Sequence, residues 1–177
     1  MNVLPKPPDR HPSSAVQFTR LVEIDPMILL DHMSDCRIAR HLPLLGTGWD
    51  HNRIETFVKA KEQCWARHGL GHWAILIDKT YAGWGGFQKE GNDWDFGLVL
   101  RPEYFSFGGL IFDKAIAWLS VHRDVREVTF LLPHSRSRRV PERLGANHLG
   151  EVIHDGVPFT KWSLAVPRQL ERRGPLA

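Results

Sequence analysis

"WAILIDKTYAGWGGFQKEGNDWDFGLVLRPEYFSFGGLIFDKAIAWL", from Trp73 to Leu119, changes its hydrophobic period once. Up to Leu100 the runs "WAILID", "YAGWGGFQK" and "DWDFGLVL" follow a period of two. The short polar breaks between them predict an antiparallel three-stranded meander, with "KT" as a two-residue turn. Gly85 and Gly86, inside the second run, point to a bulge or a close approach of backbones. "GWGG" is not a dinucleotide fingerprint, because no helix follows it. After Leu100 come a turn, two adjacent glycines and a helix. The buried stripe of that helix reads Leu110, Ile111, Ala115, Trp118 and Leu119.

Downstream, "REVTFLLP" is an apolar, β-branched strand. A strand, a crossover helix and another strand imply a parallel pair with right-handed connection. "SRSRRVPERLGA" predicts a second helix ending at Gly145, and "EVIHDGVPFTKWSLAV" a closing hairpin that turns at Asp155-Gly156. Upstream, "VQFTRLVEI" reads as a first strand. Asp25 caps a short helix with Pro26 in its first position, and "CRIARHLP" is a short helical turn. The loop "LLGTGWD" leads into a helix over 50–67, with Ile54, Phe57, Val58, Ala60 and Trp65 near one face. The order β, two or more α, βββ, α, β, α, ββ predicts an α+β domain with one mixed sheet.

The chain has 177 residues, 42% of them hydrophobic, and seven tryptophans, enough for one globular domain with a sizeable core. That domain is expected over 16–166. Residues 1–15, rich in Pro and Ser, are expected to be disordered, and 167–177 form a charged tail. No apolar run approaches the roughly 20 residues that span a bilayer, so no membrane partner is expected. The start lacks an apolar h-region, which argues against a signal peptide. Cys36 and Cys64, without CxxC spacing, fit a reducing compartment, and a cytoplasmic location is expected. "HGLGH" and "HLPLLGTGWDH" lack a ligand set, so surface or packed histidines are expected and no metal. The net charge of +3 is low for a nucleic-acid partner. "HSRSRR" and "RQLERR" read first as solvated charge.

Ligands of such sheets favour the carboxyl end of parallel strands, here the point after Leu100. The first turn of the next helix offers unpaired N–H groups and partial positive charge, which suit an anion. Phe105 and Phe107 do not exclude phosphate, since backbone N–H groups would bind it. Gly108 would allow close approach or an unusual φ. On these grounds alone, an anion loop and a plain helix start are equally good readings.

The order of elements and the motifs together resemble the GNAT N-acetyltransferase superfamily, and most closely its ribosomal-protein-alanine N-acetyltransferase branch. The resemblance covers Phe18 to Leu164. "HSRSRRVPERLGA" is similar to the branch's N-x-x-S-x-x-x-x-E-K-x-G-F helix. His134 falls at the Asn position, Ser137, Glu142, Arg143 and Gly145 fit, and Ala146 replaces Phe. "DGVPFTKWSL" resembles the closing hairpin. The family's pyrophosphate loop, Q/R-x-x-G-x-G/A, would begin at Phe105, with Gly108 at the first glycine and Leu110 at the last position; one of three defining positions matches.

The resemblance implies a GNAT-like fold: a mixed sheet of about seven strands, flanked by helices and splayed at the parallel pair. It implies transfer of an acetyl group from acetyl-CoA to a primary amine, either a protein N-terminus or a small molecule, by direct attack through a tetrahedral oxyanion. Leu98, Val99 and Leu100 would pair through their backbone with the pantetheine arm, and an N–H near Leu98 would also stabilise the oxyanion. Phe105, Ser106, Phe107, Gly108, Gly109 and Leu110 would form the pyrophosphate loop. Asp95 would be the general base, with Asp93 and Glu90 as second choices. The Tyr that many members use as acid falls at Pro141. Ser137 and His134 then stand as candidates for the acid or for cofactor contacts. Arg136, Arg138 and Arg139 are candidates for CoA phosphates, with solvent-facing charge as the other reading. The acceptor side would include His41, Trp49 and Trp84, with core packing the competing reading for the tryptophans. A degenerate acyl-CoA-binding protein is the alternative, motivated by the missing Tyr and the altered loop. The exposed sheet edge and C-terminal hairpin would also allow a homodimer.

Overall fold

A computed structural model describes residues 15–39, 46–134 and 138–167. Seven strands form one mixed sheet in the order β1-β2-β3-β4-β5-β7-β6. They are β1 Val16–Thr19, β2 His72–Ile77, β3 Thr80–Glu90, β4 Asp93–Leu100, β5 Glu127–Pro133, β6 Asn147–His154 and β7 Val157–Ala165. The helices are α1 Pro26–Met33, α2 Cys36–Ala39, α3 His51–His68, α4 Gly108–His122 and α5 Arg139–Arg143. The expected α+β, GNAT-like architecture is present, with β4 and β5 as the parallel pair.

Local chemistry sets most boundaries. The Asp25 carboxylate accepts the Met27 N–H at 2.8 Å, and Pro26 sits where no N–H is needed. Asp50 caps α3 by accepting from the Arg53 N–H at 2.8 Å, and Gly69 ends it at φ 64°. The β2–β3 turn is Asp78-Lys79, at φ 48° and 67°, one residue before the expected "KT". Asp155-Gly156 turns the last hairpin as expected, with both residues at positive φ.

Two expected elements are shorter, and a third, α3, has its expected length but a narrower buried stripe. β1 stops at Thr19, and Leu21–Glu23 form a 3-10 turn that seats Leu21 in the core. α5 covers 139–143, with 135–137 outside the described residues. In α3, Ile54 is buried and Phe57 and Val58 pack against its cluster, but Ala60 is exposed.

The core has two faces. On one, Leu29 and Met33 of α1, Ile38 of α2 and Ile54 of α3 cover Ala74, Tyr81, Trp84 and Val99. On the other, α4 lays Ile111, Ala115, Ile116 and Leu119 against the sheet. β3 carries its bulge at Ala82, because Ile75 pairs with Gly83 and Leu76 with Tyr81. The extra residue lets Tyr81 and Trp84, three positions apart, share the α1–α3 face. Gly85 and Gly86 mark close approach instead: a Cβ on Gly85 would stand 2.5 Å from the Gly97 carbonyl oxygen, and one on Gly86 2.7 Å from that of Gly71.

Candidate active site

β4 and β5 pair at one register position, Asp95 with Thr129. Beyond it the strands part, and a cleft of about 1050 Å³ opens between Phe96–Leu100 of β4 and Phe130–Pro133 of β5. Strand alternation divides its walls between the two faces. Leu98 and Leu100 turn to the α4 core and Phe96 meets Phe112 of α4 at 5.0 Å, whereas Val99 packs with the α1–α3 core. Asp95 and Gly97 share the face of Val99.

Asp95 lines the cleft and accepts a hydrogen bond from the Thr129 hydroxyl at 3.0 Å. Burial pushes its pKa up to about 6, against the opposing pull of the Thr129 hydroxyl. The second-choice carboxylates have partners of their own: Asp93 pairs with the Lys161 ammonium at 2.7 Å, and Glu90, which also lines the cleft, accepts from the Gln88 amide at 2.7 Å.

On the opposite face the structure sorts the expected loop residues. Phe105, Gly108 and Gly109 line the cleft, as do Leu98, Val99 and Leu100. Ser106 is exposed. Phe107 is 1% exposed and belongs to the core below, with Tyr104 and Ile111, and Leu110 packs against the same cluster. Residues Pro102–Phe107 form a 3-10 turn, so the helix proper begins at Gly108. Gly108 is helical, φ −52° and ψ −44°, so no unusual backbone requires glycine there. Its N–H is also committed, donating to the Phe105 carbonyl. The N-cap residue of α4, Phe107, makes no side-chain cap, and the first turn meets the cleft at Gly108 and Gly109. An uncapped helix start in a cleft of this volume fits an anionic ligand with a long arm.

His134 stands apart from these residues. It hydrogen-bonds the Glu151 carboxylate, which also takes the Arg138 guanidinium at 3.0 Å, and these partners hold Glu151 below the usual carboxylate range. Arg138 further donates to the Thr160 hydroxyl at 3.4 Å. Ser137, Arg136 and His41 lie outside the described residues. Among the described residues, Arg143, at the end of α5, is the arginine that lines the cleft. Both tyrosines, Tyr81 and Tyr104, are core residues at 7% and 4% exposure. The phenol of Tyr81 bonds His32 Nδ1 at 2.9 Å. Trp49 packs on Phe57 at 5.8 Å in the core, while Trp84 belongs to the core and lines the cleft.

Sequence reasoning passed over two groups. His72, read as packed or surface, is 6% exposed and lines the cleft against Trp84, ring centres 5.3 Å apart. Its signal was register: it precedes Ala74 and Leu76, which face the α1–α3 core. Lys61 of α3 donates to Gln88 Oε1 at 2.7 Å with its ammonium 5.3 Å from the Trp84 ring centre, and burial lowers its pKa to about 8. Among the described residues no cluster of three or more His, Cys, Asp or Glu could hold a metal, and no helix is long and apolar enough to cross a membrane.

The sheet order, the single parallel pair and the cleft at its divergence define the fold of the GNAT acetyltransferases. Among solved structures, the chain is similar to spermidine N-acetyltransferase from Vibrio cholerae in complex with CoA and spermine, with a TM-score of 0.71 and 9% identity over 88% of this chain and 98% of that one. It is similar to a GNAT-family acetyltransferase from Bacillus anthracis, with a TM-score of 0.62 and 16% identity over 85% and 93%. An acetyltransferase from Agrobacterium tumefaciens gives a TM-score of 0.65 and 14% identity over 93% and 98%. No protein-family model matches the chain, and no curated protein matches its sequence.

Proposed function

We propose that residues 16–166 form one domain that transfers an acetyl group from acetyl-CoA to a primary amine in the cytoplasm. One observation carries this reading: the β4–β5 cleft has an ionisable carboxylate on one face and an uncapped helix start on the other. The β4 edge from Phe96 to Leu100, which β5 leaves unpaired, would hold the amides of the pantetheine arm as an added strand does. The first turn of α4 and Arg143 would hold the phosphates. When bound, acetyl-CoA supplies a thioester whose acyl carbon accepts the amine and whose thiolate leaves.

Asp95, with a pKa of about 6, is ionised at neutral pH and takes the proton that the attacking amine loses. The apolar walls, Val99, Leu131 and Phe159 among them, keep water from the thioester. The acceptor is a protein N-terminal amine, as in the ribosomal-protein-alanine branch, or a small amine, as the Vibrio enzyme's spermine complex suggests.

Isothermal titration of the full chain with acetyl-CoA, followed by CoA-release assays, tests the proposal. The amines are spermidine, tyramine, kanamycin and an alanine-starting peptide. Binding with sustained turnover supports it; absence of binding at high micromolar acetyl-CoA refutes it. A second reading, an acyl-CoA-binding protein without turnover, is favoured by the burial of both tyrosines away from the cleft. Binding without acetylation of any of the four amines would select that reading.

A further inference from the structure

His72 has no task in this scheme, yet three strands arrange space for it. It pairs with Gly86 of β3, and Gly86 pairs with Gly97 of β4. Both neighbours in that row lack side chains. The imidazole can therefore extend across the row, with Nε2 3.6 Å from where a Cβ on Gly97 would stand. Gly97 lies two residues beyond Asp95 on the same face of β4, where β5 has already parted. Nδ1 of His72 is buried without a hydrogen-bond partner among the described residues. That atom is sealed from solvent, so the nitrogen that a ligand in the cleft would meet is Nε2, on the Gly97 side. Burial and the nearby Lys61 ammonium keep the ring neutral, with a lone pair free to accept.

We propose that His72 binds the acceptor amine, which arrives as an ammonium with three N–H: the imidazole accepts one of them, a second proton passes to Asp95, and the third stays on the nitrogen. The nitrogen lone pair is then left directed at the acyl carbon, which is the geometry the transfer needs. This assignment rests on the acetyl-transfer reading. It makes His72 a residue of the acceptor subsite, on the face opposite the helix start that would hold phosphate. Trp84, tilted against the ring at 41°, forms the apolar wall of the same subsite.

The test compares the full-length wild type with His72→Phe, which keeps a ring and removes both nitrogens, and His72→Gln, which returns a polar atom at similar reach. Spermidine, tyramine and an alanine-starting peptide serve as acceptors, and acetyl-CoA affinity is measured in parallel. In His72→Phe, kcat/KM for the amine should fall at least about tenfold, the worth of one well-placed hydrogen bond. The Kd of acetyl-CoA should stay within about twofold, and His72→Gln should recover part of the loss. Unchanged kcat/KM in His72→Phe, with wild-type turnover intact, overturns this assignment alone. So does an equal loss of acetyl-CoA affinity and turnover, which marks a packing role. Absence of wild-type turnover overturns the transfer reading and this assignment with it. If His72→Phe does not fold, the ring nitrogens of wild-type His72 are followed by NMR. They should shift when the best acceptor is added, and no shift overturns the assignment.

Discussion

Thr129 donates its hydroxyl to Asp95 at 3.0 Å from the one register position where β4 and β5 pair. The bond sits at the point where the sheet splits, so the residue that closes the parallel pair also steadies the cleft's carboxylate. It favours the ionised form, against burial, which raises the pKa to about 6. Thr129→Val should therefore move the acidic limb of the pH–rate profile upward by about one unit, the scale of a hydrogen bond to a charged group. The pKa of Asp95, followed by carboxyl NMR, should move the same way. A profile unchanged in Thr129→Val would separate the rate-limiting ionisation from Asp95.

Asp95→Asn gives two outcomes of opposite sign. Loss of the base should lower kcat about 100-fold or more at neutral pH, with acetyl-CoA affinity retained. Stability should rise. The pKa of Asp95 moves from 3.8 in the unfolded chain to about 6 in the fold, so the unfolded chain ionises first as pH increases. Between those values the native state loses up to about 3 kcal/mol that the amide variant keeps. Melting temperatures should show Asp95→Asn ahead of wild type near pH 7.5, with the gap narrowing towards pH 4.

The fold was legible because its signals are local. The change from period two to a helical stripe after Leu100, the Asp25 and Asp50 caps and the Asp155-Gly156 turn lie within a few residues of what they determine. Errors came where tertiary contact overrides the pattern. Leu21 leaves the strand register to reach the core beneath α3. The site divides in the same way. Asp95 was singled out only through the family resemblance of "DWDFG", and its raised pKa depends on burial that only the assembled cleft provides. Register could have given the face of His72, but not its access to the cleft, which depends on Gly86 and Gly97 on two other strands.

Two glycines should respond in opposite ways. Gly108 has helical φ, and an added Cβ would meet Leu98 Cδ2 at 3.9 Å and Leu100 Cδ1 at 4.0 Å, ordinary contacts. Gly108→Val should fold, with a melting temperature near wild type, yet lose about tenfold or more in acetyl-CoA affinity by filling the space at the helix start. Gly85→Ala places its methyl 2.5 Å from a backbone oxygen and should destabilise by about 1–3 kcal/mol. Calorimetry and titration on the two variants separate fit from function. Unaltered affinity in Gly108→Val would reduce this segment to a helix start.

The two phenylalanines beside that glycine divide the same roles between them. Phe107 is 1% exposed, packed with Tyr104 and Ile111, so Phe107→Ala should cost about 3–5 kcal/mol through the cavity it leaves. Phe105 is 37% exposed and lines the cleft. Phe105→Ala should change stability by less than about 1 kcal/mol. Its effect should fall on the cofactor instead. The ring offers the apolar surface that a basic or amide side chain would replace at this loop position. Removing it should weaken acetyl-CoA about tenfold, while restoring polarity with Phe105→Arg should recover affinity through a phosphate contact. Denaturant unfolding places the first variant, and titration the other two. If Phe105→Arg binds no better than Phe105→Ala, the phosphates do not lie at this end of the cleft, and α4 would lose its assigned role as the anion site.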